Sequence, residues 1–209
     1  MSSLMQPLYT PERYLALERA ADHKSELVNG QIYAMAGASR RHNLIVLNIG
    51  AELRSRLRGR ACEAYVSDMR VKVSATTMYT YPDVAALCER PHLEDDRGDT
   101  LLNPSVIVEV LSDSTEAYDR GEKFAHYRRL ESLREYILVS QNAMRVEQFV
   151  RRGEHWVLTE IIGPEGVLCI ESLGCEIPLQ DIYERVGVSS GELRQGRPDH
   201  ASAAASPEP

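Results

Sequence analysis

The stretch that decides the fold reads Ser105-Val106-Ile107-Val108-Glu109-Val110-Leu111. Its nearly continuous apolar, β-branched composition predicts a central strand covered on both faces. Because the side chains of a strand alternate between its two faces, Glu109 shares one face with Ile107 and Leu111. A carboxylate at such a position is costly to bury unless a partner compensates its charge. Glu109 is therefore either a metal ligand or a member of a buried salt bridge or helix cap.

A second acid shows the same anomaly upstream. Asp83 directly follows Pro82, at the start of an apolar strand predicted over residues 83–88. Alone, Asp83 would fit a turn as well as a functional site. A divalent cation is the simplest common partner for Asp83 and Glu109. Two strand carboxylates with a lysine are the components of metal-assisted phosphodiester hydrolysis.

An ordered set of segments carries a resemblance to known proteins. The segments are Glu26-Leu27-Val28-Asn29-Gly30, Pro82-Asp83-Val84, Glu109-Val110-Leu111-Ser112, Lys123 with Tyr127, and Glu135-Tyr136-Ile137-Leu138-Val139. Together they resemble the PD-(D/E)XK nuclease superfamily. The resemblance is closer to a bacterial family of small stand-alone proteins classed as restriction endonucleases, and it spans about residues 8–187.

The resemblance implies a catalytic set of Glu26, Asp83, Glu109 and Lys123. Asp83 and Glu109 would bind Mg²⁺ or Mn²⁺, and Glu26 would be a further ligand or a proton acceptor. Asn29-Gly30 predicts a tight hairpin between strands at residues 24–28 and 31–35. From its local sequence alone, Glu26 would be an exposed charge on this hairpin.

The lysine departs from the superfamily pattern, in which it lies two residues after the acid. Leu111 fills that place here and cannot orient or deprotonate a water molecule. The closely resembling family carries a lysine on the following helix, and Lys123 matches it. A solvated helix lysine paired with Glu122 or Asp119 is the alternative.

Ile45, Ile49, Leu53 and Leu57 recur every four residues in the helix predicted over residues 39–58 and should form its buried face. Arginines surround this helix. We expect four of them to contact the phosphate backbone of a nucleic acid, namely Arg40, Arg41, Arg54 and Arg58. The alternative is the solvated face of a long helix. His42, near the start of this helix, could lie at the edge of the site, although a cap or a core histidine fits as well.

The pattern predicts an α/β fold with a restriction-endonuclease-like core. A mixed central sheet would be flanked by helices at residues 11–21, 39–58 and 116–131. An added antiparallel segment at 144–171 would extend the sheet or mediate formation of a homodimer. Residues 1–188 would form one nuclease domain, and the Ser-, Ala- and Pro-rich residues 189–209 a disordered tail.

Composition limits the class of protein. The 209 residues carry a net charge of −7, which argues against nonspecific coating of nucleic acid but not against a nuclease. The sequence shows neither a membrane-spanning run nor a signal peptide, so we expect a cytoplasmic protein without a membrane partner. Its four cysteines are then expected to be reduced and buried.

Three functions remain open from the sequence. The leading hypothesis is a Mg²⁺- or Mn²⁺-dependent endonuclease with DNA as its substrate. A non-catalytic nucleic-acid-binding or protein-interaction module is the second, favoured by Leu111 and by the acidic net charge. A hydrolase acting on RNA or on a small phosphorylated molecule is the third.

Overall fold

The computed structural model describes residues 8–188, and the predicted tail at 189–209 lies outside these described residues. The helices within them are α1 (Pro11–Glu18), α2 (Arg40–Arg56), α3 (Glu116–Tyr118), α4 (Phe124–Tyr127) and α5 (Leu179–Ile182). The strands within them are β1 (Ser25–Val28), β2 (Gln31–Ala34), β3 (Glu63–Val66), β4 (Arg70–Val73), β5 (Met78–Thr80), β6 (Val84–Leu87), β7 (Thr100–Leu101), β8 (Val106–Leu111), β9 (Glu135–Ser140), β10 (Arg145–Arg152), β11 (His155–Ile162), β12 (Val167–Ile170) and β13 (Cys175–Pro178).

The central sheet contains six strands in the order β11-β10-β9-β8-β6-β3. β8 and β9 pair in parallel, and the other neighbouring strands pair antiparallel. The sheet is therefore mixed, as predicted, and all six residues of β8 are buried. From the segment at 144–171, β10 and β11 extend this sheet, whereas β12 pairs separately with β13.

A second sheet has five strands in the order β2-β1-β5-β4-β7. β1 and β2 form the predicted hairpin, in which Asn29 and Gly30 have φ angles of 50° and 79°. Positive φ at both central residues is what a type I′ turn requires. The sequence did not predict β5 and β7, because strands of three and two residues are too short to show a period.

Two hydrophobic cores cover the two faces of the central sheet. On one face, Ile45, Ile49 and Leu53 of α2 pack against alternate residues of β6 and β8, as the four-residue spacing in α2 predicted. On the other face, Ile107 and Leu111 pack with residues of α4 and of the second sheet. Glu109 lies on this second face, between the two sheets.

The helix predicted over 116–131 is interrupted. α3 ends at Tyr118, a π-helical turn spans Asp119–Lys123, and α4 ends at Tyr127. Gly121 lies in this turn, and glycine is unfavourable in a regular helix interior. π-Helical turns are rare and are found often at functional sites.

The prediction of reduced, buried cysteines was wrong, because none of the four cysteines is fully buried and two of them form a disulfide. Glu63 of β3 lies opposite Leu87 of β6, which places Cys62 opposite Cys88 just beyond the paired strands, and the two form a disulfide. Opposed side chains of antiparallel strands are close enough for this bond. Cys169 and Cys175 are free thiols, and Cys169 is exposed.

Across residues 8–188, none of the helices has the length and apolar character that crossing a membrane requires.

Candidate active site

Asp83 and Glu109 are brought together by the antiparallel pairing of β6 and β8. Val84 lies opposite Val108, and the same register places Asp83 opposite Glu109. β8 continues beyond the start of β6, and the Val110 N–H donates a 2.7 Å hydrogen bond to Asp83 Oδ2. The carboxylate thus replaces a missing strand partner, and this bond holds it beside Glu109.

Lys123 reaches the same place from the π-helical turn. Its Nζ lies 2.9 Å from Glu109 Oε1, 3.4 Å from Glu26 Oε1 and 3.7 Å from Asp119 Oδ1. The Lys123 side chain is only 7% exposed, so it is not a solvated surface lysine. Leu111, in the position where the superfamily has its lysine, is buried in the core between the sheets.

Glu26 approaches from β1 of the second sheet and is buried rather than exposed. Its Oε1 accepts hydrogen bonds from the Thr80 hydroxyl and, at 3.4 Å, from the Tyr81 N–H. Tyr127, at the end of α4, donates a 2.9 Å hydrogen bond to Glu109 Oε1. Backbone and hydroxyl donors therefore fix both carboxylates.

Burial determines the electrostatics of the site. It raises the pKa of Glu109 to about 8; Lys123 opposes this rise, and the negative charges of Asp119 and Asp83 add to it. Burial also raises the pKa of Asp119. For Lys123, burial favours a lower pKa, but Glu109, Glu26 and Asp119 together raise it well above its ordinary value. Lys123 therefore stays protonated and is suited to stabilising negative charge rather than to accepting a proton.

The donor set fits a divalent cation. Three carboxylates contact the buried Lys123 ammonium, Asp83 lies opposite one of them, and Mg²⁺ prefers oxygen ligands. In the described part of the chain, no group of three or more His, Cys, Asp and Glu side chains is arranged to hold a metal. Mg²⁺ sites, however, commonly use one or two carboxylates completed by water and substrate phosphate. Asp83 and Glu109 can supply that pair.

Two residues that the sequence analysis offered only as alternatives lie at the site. Asp119, named there as a partner of a solvated Lys123, lies 3.7 Å from Lys123 Nζ and is buried with it. His42 Nε2 lies 3.1 Å from Asp83 Oδ2, whereas its buried Nδ1 has no partner among the described residues. The first turn of α2 therefore reaches the candidate metal ligand Asp83 from the opposite face of the sheet.

The four predicted arginines do not form one cluster in the structure. Arg40 and Arg41 are exposed at the N-terminal end of α2, the end that carries His42. Arg54 and Arg58 line a cavity of about 620 Å³ at its other end. Helical rise puts Arg54 about 18 Å along the axis from His42. Arg40 and Arg41 thus share the His42 end of α2, where their guanidinium groups donate hydrogen bonds to the Arg185 and Gly187 carbonyls.

Comparisons with known proteins agree with this fold. The family model described as "Uma2: Putative restriction endonuclease" matches residues 11–180. Two uncharacterized proteins of Synechocystis sp., sll1609 and slr1290, are similar. The first is 39% identical over 157 residues, 75% of this chain and 89% of the relative. The second is 34% identical over 180 residues, 85% and 92% of the respective chains.

One solved structure has a similar fold, described as a "putative nuclease belonging to DUF820" from Anabaena variabilis. It superposes with a TM-score of 0.70 and 16% sequence identity, over 85% of this chain and 98% of that one. At this identity the likeness establishes the shared fold.

Proposed function

Since the chain belongs to the Uma2 family, whose model is described as "Putative restriction endonuclease", we propose that it is a Mg²⁺- or Mn²⁺-dependent DNA endonuclease. Phosphodiester bonds would be hydrolysed at the cluster of Glu26, Asp83, Glu109 and Lys123. Members of nuclease families of this kind generally use divalent metals.

The observation that carries this proposal is the convergence of four separate chain segments on one buried site. Glu26 comes from β1, Asp83 from the start of β6, Glu109 from β8 and Lys123 from the π-helical turn. Burying several acids beside one lysine is costly for folding, because the acids exceed the available positive charge. Such a cost is typical of functional sites.

Each residue then has a distinct role. Asp83 and Glu109 would hold the cation, which when bound polarises the scissile phosphate and lowers the pKa of a water molecule. Lys123, which stays protonated, would stabilise negative charge that develops on the phosphate. Glu26 would hold the Lys123 ammonium in place through their 3.4 Å contact.

Contacts with the DNA backbone would come from exposed arginines. Arg40 and Arg41 lie at the active-site end of α2, so they would contact phosphates next to the cleaved bond. Arg54 and Arg58 would contact phosphates further along the same strand or duplex. This local positive charge would offset the net charge of −7.

Incubation with supercoiled plasmid tests the proposal. The purified protein is incubated in EDTA, in Mg²⁺ or in Mn²⁺, beside Glu109→Gln, Asp83→Asn and the exposed turn variant Glu154→Gln as matched control. Metal-dependent nicking or linearisation should be lost in the two site variants and kept in the control. Equal cleavage by Asp83→Asn and Glu109→Gln would remove the proposed site.

A non-catalytic binding module is the second candidate, and the ion pair between Lys123 and Glu109 favours it. Lys123 offsets part of the charge of one candidate ligand without any metal. DNA binding without cleavage in either metal would identify the module, and cleavage of an RNA transcript but not of plasmid would identify a ribonuclease.

A homodimer, in which each subunit would cut one strand, stays a prediction. β11 is an edge strand of the central sheet, and its Val157 and Leu158 are 48% and 52% exposed. Sedimentation equilibrium of the purified chain would measure its oligomeric state.

A further inference from the structure

A cavity of about 330 Å³ opens beside the candidate active site. It lies between the β1–β2 hairpin and the segment that leads into α3 and the π-helical turn. The residues that line it are Glu26, Val28, Tyr33, Ser114, Thr115, Tyr118 and Glu122. Glu26 belongs to both the cavity and the active site, so a group bound in the cavity is next to the acids and to Lys123.

The lining is acidic and aromatic. It includes two tyrosines and two glutamates, and none of the described residues lining it is basic. A phosphate group would meet the carboxylates with no positive charge among the described lining residues, so the cavity does not suit the strand backbone. Its volume lies at the lower end of the range for ligand pockets, which suits a single planar ring system.

Tyr33 offers a stacking surface. It lies on β2, the edge strand of the second sheet, and is 52% exposed. Its hydroxyl donates a 2.6 Å hydrogen bond to Gln31 Oε1, which restricts the ring orientation. Aromatic side chains on an open strand are a common platform for nucleobases, because every base has a π-face.

Hydrogen-bonding groups in the cavity favour a ligand that carries donors. The carboxylates of Glu26 and Glu122 accept hydrogen bonds, as glutamate does from the cytosine amino group. Tyr118 is half-buried at the other wall, and burial followed by the charge of Glu26 raises the pKa of its phenol. It therefore stays a neutral hydroxyl donor close to Glu26.

We propose that this cavity binds an unpaired, amino-bearing nucleobase of the substrate strand, stacked on Tyr33 and read by the carboxylates. The inference rests on the proposed nuclease function and makes its substrate single-stranded or locally unpaired DNA. Extrusion of a base from the stack is least costly where pairing is already absent. The phosphate adjoining the bound base would then lie at Lys123.

Binding can be measured without cleavage. Fluorescence anisotropy in EDTA would follow three fluorescein-labelled probes, a dodecamer of deoxycytidylate, a dodecamer of thymidylate, and a blunt duplex of mixed sequence. The variants are Tyr33→Ala, Tyr33→Trp, which keeps an aromatic surface, and Leu158→Ala, a control with the same 52% exposure on β11.

We expect the wild-type protein to bind the deoxycytidylate strand more tightly than the thymidylate strand or the duplex. Tyr33→Ala should weaken deoxycytidylate binding about 5- to 150-fold, the loss expected for one stacked base. Tyr33→Trp and Leu158→Ala should bind like the wild type.

The experiment distinguishes failure of the cavity inference from failure of the proposed nuclease function. If Tyr33→Ala binds the strand as tightly as wild type while plasmid is still cleaved, the cavity inference is wrong and the nuclease stands. If the wild-type protein neither binds any probe nor cleaves plasmid, the proposed function fails, and the cavity inference fails with it.

Discussion

Replacing the carboxylate of Glu109 by an amide should make the protein more stable, and increasingly so as the pH rises. The side chain is 5% exposed and lies near Asp119 and Asp83 as well as Lys123. In Glu109→Gln the amide keeps the shape of the protonated carboxyl. Its oxygen can still accept hydrogen bonds from Lys123 and Tyr127.

The direction and the size of this stability change follow from the raised pKa of Glu109. In the unfolded chain Glu109 ionises near its ordinary value of 4.5, whereas in the folded protein its pKa is about 8. Between these two pH values the carboxyl ionises in the unfolded chain but stays protonated in the folded protein. Glu109 therefore destabilises the wild-type protein increasingly as the pH rises from 4.5 to 8. The rise corresponds to an upper bound of about 5 kcal/mol above pH 8. About 3 kcal/mol of it should develop between pH 5 and pH 8.

Urea denaturation in EDTA at pH 5, 6, 7 and 8 would measure this effect. We expect Glu109→Gln to have the higher free energy of unfolding, and its advantage over the wild type should grow by about 3 kcal/mol from pH 5 to pH 8. Glu135→Gln is a matched control, because Glu135 is fully buried and its carboxylate accepts hydrogen bonds from Gln148 and Ser172. It should destabilise the protein.

A constant difference between Glu109→Gln and the wild type across this pH range would refute the assigned burial cost. So would a variant that is less stable than the wild type at pH 8.

Three further predictions address the site and the disulfide. Lys123→Met should slow single-turnover DNA cleavage about 100- to 1,000-fold while Mn²⁺ still raises Tm, and an unchanged rate would exclude it from catalysis. His42→Ala should weaken Mn²⁺ binding about 10- to 100-fold by releasing Asp83, measured by calorimetry, and unchanged affinity would limit His42 to packing. Reducing the Cys62–Cys88 disulfide, which spans 26 residues, should lower the free energy of unfolding by about 3 kcal/mol in urea titrations. Equal stability of the two forms would show that the bond contributes nothing.

The sequence predicted the long, periodic elements well. β8 and β9 are continuous apolar runs, and α2 carries a buried residue every fourth position, so local pattern was sufficient for each. The β1–β2 hairpin was equally clear, because Asn29-Gly30 supplies both positive-φ positions.

Strand pairing between segments that are distant in the chain could not be predicted from the sequence. The sequence gives no sign that β3 and β4, adjacent in the chain, belong to different sheets. The disulfide was missed because Cys62 and Cys88 meet only through the β3–β6 register. The interruption of the helix predicted over residues 116–131 was missed, because a π-helical turn has no characteristic spacing of apolar residues in the sequence.

The candidate site was predictable where a residue is anomalous in its own strand. Glu109 among apolar neighbours is such a case, and Asp83 beside it is another. Lys123 depended on family resemblance, since nothing local distinguishes it from a surface lysine. The aromatic cavity at Tyr33 was not predicted, because its walls come from segments far apart in the chain.

The central claim is that Asp83 and Glu109 form one divalent-cation site. Calorimetric titration of Mn²⁺ into the wild-type protein and into Asp83→Asn at pH 8 tests it most directly, since cation binding requires ionised carboxylates. We predict saturable binding to the wild type and at least a tenfold loss of affinity in Asp83→Asn. Equal Mn²⁺ affinity in the two proteins, or none in the wild type, would contradict the claim.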